Sequence, residues 1–87
     1  MMKNSTAFES PSARRAENHR QAGVLAHRAR RWDAAVQEFE RATDLTPDDW
    51  LMWVNLARSR MELGLHVPAL EAAERSFTLN RDRKSVV

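Results

Sequence analysis

Residues 16–49 and 50–83 of this 87-residue chain carry one pattern twice, at an offset of 34 residues. Gly23 falls on Ala57, Ala35 on Ala69, Ala42 on Ser76, Leu45 on Leu79, Trp32 on His66 and Phe39 on Ala73. A fixed period of this length belongs to helix–turn–helix repeats, in which a unit cannot bury its apolar face alone and stacks on its neighbour. The expected fold is therefore all-α: two tandem helix–turn–helix units, about four antiparallel helices in a short right-handed solenoid. Such arrays are usually recognition surfaces rather than seats of chemistry.

Helical periodicity supports the same elements. Trp32, Ala35, Val36, Phe39, Ala42 and Leu45 recur at i, i+3, i+4 and i+7, with Gln37, Glu38, Glu40, Arg41 and Asp44 between them. From Leu51, the residues Met52, Trp53, Val54, Leu56, Ala57, Met61 and Leu63 form a broader stripe, as in a helix packed on two sides. Ser10-Pro11-Ser12 reads as an N-terminal cap. Pro47 pushes Thr46 out of the helical region, and Asp48 can cap the next helix. Gly64 ends that helix in a left-handed conformation, and Pro68 suits the first turn of the last one. The turn at Arg30-Arg31 contains neither Gly nor Pro. Helices are expected at 12–29, 32–45, 48–63 and 67–79, with 1–11 a flexible segment and 80–87 a frayed tail. Small residues at Gly23, Ala35, Ala42, Ala57 and Ala69 allow close helix crossings, and Trp32, Phe39 and Trp53 fill the space between.

The pattern resembles the tetratricopeptide repeat family. Gly23, Trp32, Ala35, Phe39, Ala42 and Pro47 match the family's small, aromatic and proline positions in the first repeat; Trp53, Leu56, Ala57, Gly64, Ala69 and Leu79 match in the second. His19, Ala22, Ala73, Ser76 and Arg81 depart from it. The resemblance implies a concave groove lined by the first helix of each repeat. Carried over position by position, the groove comprises Glu17, Arg20, Val24, His27 and Arg28, then Leu51, Val54, Arg58, Met61 and Glu62, with Asn55 placed to hold a peptide backbone. Arg20, Arg28 and Arg58 would take acidic or carboxylate-ended groups, and Val24, Leu51, Val54 and Met61 apolar side chains. The family's carboxylate clamp has Lys and Asn where Arg20 and Val24 stand here, which argues against that particular use. Beyond Leu79 the pattern supplies no further amphipathic helix. Leu70, Ala73 and Phe77 are therefore expected on an uncovered ridge, able to join two copies through the last helix.

Composition excludes more than it selects. The chain has no cysteine, so neither disulfides nor thiolate chemistry. The first residues lack the apolar run of a signal peptide, and no segment approaches a membrane span. A cytoplasmic protein without cofactors is expected. His19, His27 and His66 form no metal-ligand spacing, Gly23 and Gly64 are the only glycines, and no Ser-His-acid set can be argued; no catalytic residue is assigned. Residues 1–31 hold seven Lys/Arg against two acids, whereas 32–80 hold four against nine. This basic first helix, with Arg14, Arg15, Arg20, Arg28, Arg30 and Arg31, leaves nucleic-acid binding as a lesser alternative, disfavoured by the acidic remainder. Another alternative is the substrate-recruiting part of a larger enzyme. The leading reading is a protein–protein interaction module or adaptor that binds another protein or peptide.

Overall fold

The protein is described by a computed structural model covering residues 10–85. The described residues form four helices: α1 (Pro11–Arg28), α2 (Trp32–Leu45), α3 (Trp50–Glu62) and α4 (His66–Ser85). No strand occurs among the described residues. Each helix packs on its sequence neighbour, α1 on α2, α2 on α3 and α3 on α4. The result is a flat stack with principal extents of 49 × 33 × 17 Å.

The caps explain where the helices start. Ser10 Oγ accepts the Ala13 amide at 3.0 Å, and Pro11 follows as the first helical residue, where no donor is lost. Asp49, rather than the expected Asp48, caps α3 by accepting the Leu51 amide at 3.2 Å. The largest departure is at the C-terminus. α4 does not stop at Leu79 but continues to Ser85. After Pro68 no Gly or Pro interrupts it, and Arg83 is held both by Asn80 Oδ1 at 3.3 Å and over the Trp50 ring at 5.8 Å. The expected flexibility of 1–11 falls on described residues only at Ser10 and Pro11; 1–9 and 86–87 lie outside them.

Both interhelical turns within the units have one geometry. The Arg31 amide donates to Ala26 O at 2.8 Å and that of Arg30 to His27 O at 3.0 Å. Leu65 to Arg60 O and Gly64 to Met61 O, both at 2.9 Å, repeat this in the second unit. These are paired helix-ending bonds around one left-handed residue. That residue is Gly64 (φ 78°) in the second turn and Arg30 (φ 62°), its equivalent 34 positions earlier, in the first. A side chain in this region costs about 1–2 kcal/mol.

The core joins α2, α3 and α4 through Ala35, Val36, Phe39, Leu56 and Ala72, with Val24, Ala26, Trp53, Ala57 and Leu63 packed against it. Trp53 is half-buried and donates its indole N–H to Pro47 O at 2.8 Å. The tightest approach is between α1 and α2: a Cβ on Gly23 would stand 2.6 Å from the Phe39 ring. Gly within a helix is about 1 kcal/mol worse than Ala, so the close approach overrides propensity here. His19 of α1 bonds Glu38 of α2 at 2.6 Å, and Arg60 of α3 reaches Glu40 of α2 at 3.3 Å and Pro68 O at 3.0 Å.

Two outcomes are expected. Gly23→Ala lowers stability by roughly 1–3 kcal/mol through overpacking, and Phe39→Leu in the same chain recovers part of the loss. A melting temperature equal to or above that of the parent contradicts the contact. Arg30→Gly raises stability by up to about 1 kcal/mol, which is a few degrees in the melting temperature of a chain this size; Gly64→Arg moves it the other way.

Candidate functional site

The first helix of each unit, α1 and α3, borders a cleft of about 350 Å³. Val24, His27 and Arg28 line it from α1, Asn55 and Arg58 from α3, and Phe39 of α2 lies between them. Thus five of the expected groove residues meet around one opening. Phe39, read from the sequence as core alone, is also part of its wall. The signal was the alignment of a helical glycine with a facing aromatic, since the ring that packs on Gly23 is thereby carried to the α1 side of α2.

The remaining groove residues lie elsewhere. Leu51 and Met61 are exposed on α3, Val54 is half-buried, and Met61 Sδ sits 3.3 Å from His66 Nδ1 at the α3–α4 turn. Arg20 borders a second opening with Gln21, Val24, Leu25 and Arg28. On the last helix, Leu70, Ala73 and Phe77 are exposed, as the sequence pattern predicts.

The arginines divide by partner. Arg20 is engaged by Glu17 one turn earlier, Nε to Oε1 at 2.8 Å and Nη2 to Oε2 at 2.5 Å. The Arg20 guanidinium holds the Glu17 carboxyl down at about 2, against an ordinary 4.5. Arg20 is in turn held above its usual value, first by the Glu17 bond, with the Asp49 charge adding to it. Arg41 approaches Glu38 at 3.7 Å, and Arg60 is committed to Glu40 and Pro68. Arg28 and Arg58 have no hydrogen-bond or ion-pair partner among the described residues. Both line the cleft, and among the described residues no acidic one does. His27 stands edge-on to Trp32, with ring centroids 4.8 Å apart at 70°. Its Nε2 is buried without a hydrogen-bond partner among the described residues. A basic residue near a helix C-terminus also offsets the helix dipole, but that role does not require two of them on one cleft. The arrangement is suited to an oxyanion, since the Arg28 and Arg58 guanidinium groups and the Asn55 amide supply donors at the cleft.

Among the described residues no group of His, Cys, Asp or Glu is placed to hold a metal ion, and no helix is long and apolar enough to cross a membrane. Comparison with protein-family models, with curated proteins and with solved structures returns no match.

Because the folded-state value of Glu17 is depressed, its pair with Arg20 is fully formed above the ordinary 4.5 and is lost as pH falls toward 2. A carboxyl-detected NMR titration should place the Glu17 midpoint near 2 and return it to the ordinary carboxylate range in Arg20→Ala. A midpoint near 4.5 in the parent chain refutes the pairing.

Proposed function

We propose that this chain is a non-catalytic, cytoplasmic protein-interaction module of the tetratricopeptide repeat type. Its α1–α3 cleft receives an extended partner segment bearing a carboxylate. The repeat reading draws support from the offset of 34 residues, which relates Arg30 to Gly64 in conformation as well as in register. The observation that carries the binding reading is the convergence of Arg28 and Arg58, both without a partner among the described residues, on one cleft with Asn55. Arg20 has a lesser part, because an incoming acid must first displace Glu17. The groove is consequently polarised. The Glu17–Arg20 end, with Asp49 near, is internally neutralised, and the Arg28–Arg58 end is positive. An extended segment would enter with its charged group toward the C-terminal ends of α1 and α3.

A pair of peptides with one apolar sequence, ending in a free carboxylate or in an amide, tests this by calorimetry at low salt. The acid should bind more tightly by about tenfold or more, because hydrogen bonds to charged groups contribute about 1.5–3 kcal/mol. Arg28→Ala with Arg58→Ala should erase that preference, while Arg20→Ala leaves most of it. Equal binding of acid and amide removes the carboxylate from the proposal. Failure of both peptides to bind at about millimolar concentration, where −4 kcal/mol would be visible, removes the groove.

A further inference from the structure

The turn inside each unit brings two side chains five positions apart into contact, and it does so twice with different chemistry. In the first unit the His27 carbonyl accepts the Arg30 amide at 3.0 Å and Trp32 opens α2; the two rings meet edge-on at 4.8 Å. In the second, 34 residues on, the Met61 carbonyl accepts the Gly64 amide at 2.9 Å and His66 opens α4. Met61 Sδ then stands 3.3 Å from His66 Nδ1. One backbone geometry, with paired helix-ending bonds around a left-handed residue, sets both encounters. The Met61–His66 contact is thus a consequence of the turn. Surroundings separate the two pairs. His27 and Trp32 are half-buried, whereas Met61 is 53% exposed, His66 is exposed, and the space over Gly64 between them is open. Neither Met61 nor His66 is a wall of the α1–α3 cleft.

We infer that Met61 Sδ and His66 Nδ1 form a two-donor site for a soft monovalent cation, Cu(I). The three histidines have no metal-ligand spacing among themselves, and the partner of His66 is a thioether. Thioether sulfur selects Cu(I), and imidazole also suits copper; the chain has no cysteine to offer a softer donor. A singly charged ion with a filled d shell is satisfied by two or three ligands, so this pair suffices for it. Mg(II) and Ca(II) need several oxygen donors, and the pair offers none. Zn(II) is held by thiolate, imidazole and carboxylate, usually four together, and the pair supplies one of these. With the ring proton on Nε2, the Nδ1 lone pair faces those of Sδ, and a cation between them turns that opposition into two bonds. Bonds of about 2.3 Å to sulfur and 2.0 Å to nitrogen would set the two atoms at most about 4.3 Å apart, an opening of about 1 Å. Rotation of an unbranched, exposed Met side chain supplies it.

Ag(I), which shares this chemistry and is stable in air, is the probe. The full chain in chloride-free buffer is titrated with silver nitrate and followed by residue-resolved NMR of methionine methyls and histidine ring protons. The Met61 methyl and the His66 ring should shift together along one saturating curve. Met61→Leu, which nearly conserves volume, and His66→Gln should each weaken binding at the turn by about tenfold or more, since even an outer-shell partner commands about tenfold. An unchanged melting temperature, expected at exposed positions, separates loss of the site from loss of the fold. A His66 ring that shifts while the Met61 methyl stays in place reduces the pair to a lone imidazole and overturns the inference. So does silver that is taken up at His19, Met1 or Met2 with both residues of the turn unmoved, or an undiminished affinity at the turn in Met61→Leu. Zn(II) that moves the Met61 methyl as Ag(I) does overturns the assignment to a soft ion.

Discussion

Much of the arrangement depends on the Phe39 ring resting on the bare backbone of Gly23. Only at a residue without a side chain can α1 approach α2 this closely, since a Cβ would stand within 2.6–2.8 Å of three ring atoms. The ring, 1% exposed, joins the core made with Leu56 and Ala72, and it also lies in the wall of the cleft between α1 and α3. Core packing and cleft shape therefore share a side chain. The separation of α1 from α3, which gives the cleft its width, follows from how deeply α1 sinks onto α2. In the second unit the equivalent pair is Ala57 and Ala73, so a Gly with a Phe has become two alanines.

Arginine supplies a second level of organisation. Arg60 ties α3 to Glu40 of α2 and to the backbone at Pro68, and it is the side chain that most directly links the two units. Arg75 over Trp53 and Arg83 over Trp50, at 5.9 and 5.8 Å, hold α4 along α3. Each such contact is worth about 0.5–1 kcal/mol at an exposed site. Arg28 and Arg58 stand apart from this structural use. Without a partner among the described residues, they give the cleft its charge, just as the Glu17 fork removes Arg20 from it.

The helices and their order could be read from the sequence because two independent signals agreed, the 34-residue register and the 3.6-residue apolar stripe. The turn at Arg30 was obscure because a left-handed residue is read from glycine, and here register alone marked it through Gly64. The end of α4 was misplaced because its last turns have no apolar stripe; they are held by Arg83 with Trp50 and Asn80, contacts that only the folded chain brings together. The groove was legible at Val24, His27, Arg28, Asn55 and Arg58, whose helix faces follow from register. It was less so at Arg20 and Met61, because a long side chain can reach several partners and position does not say which it takes. Glu17 and His66 settle those two cases.

Departures from the repeat carry as much information as the matches. Positions at the crossing inside each unit stay small in both: Ala35 and Ala69, Ala42 and Ser76. The hairpin they serve is the same hairpin twice. Positions on the junction faces diverge, Val36 to Leu70, Thr43 to Phe77, Leu56 to Ala22 and Met52 to Asn18, because the same face meets another unit once and is open once. On α1, Asn18 and Ala22 stand where α3 has Met52 and Leu56, but an exposed Leu25 stands where α3 has Ser59. On α4, Leu70 and Phe77 are larger than Val36 and Thr43, whereas Ala73 is smaller than Phe39. A stripe that keeps Leu70 and Phe77 exposed at the positions where its equivalent is covered has the character of a contact surface.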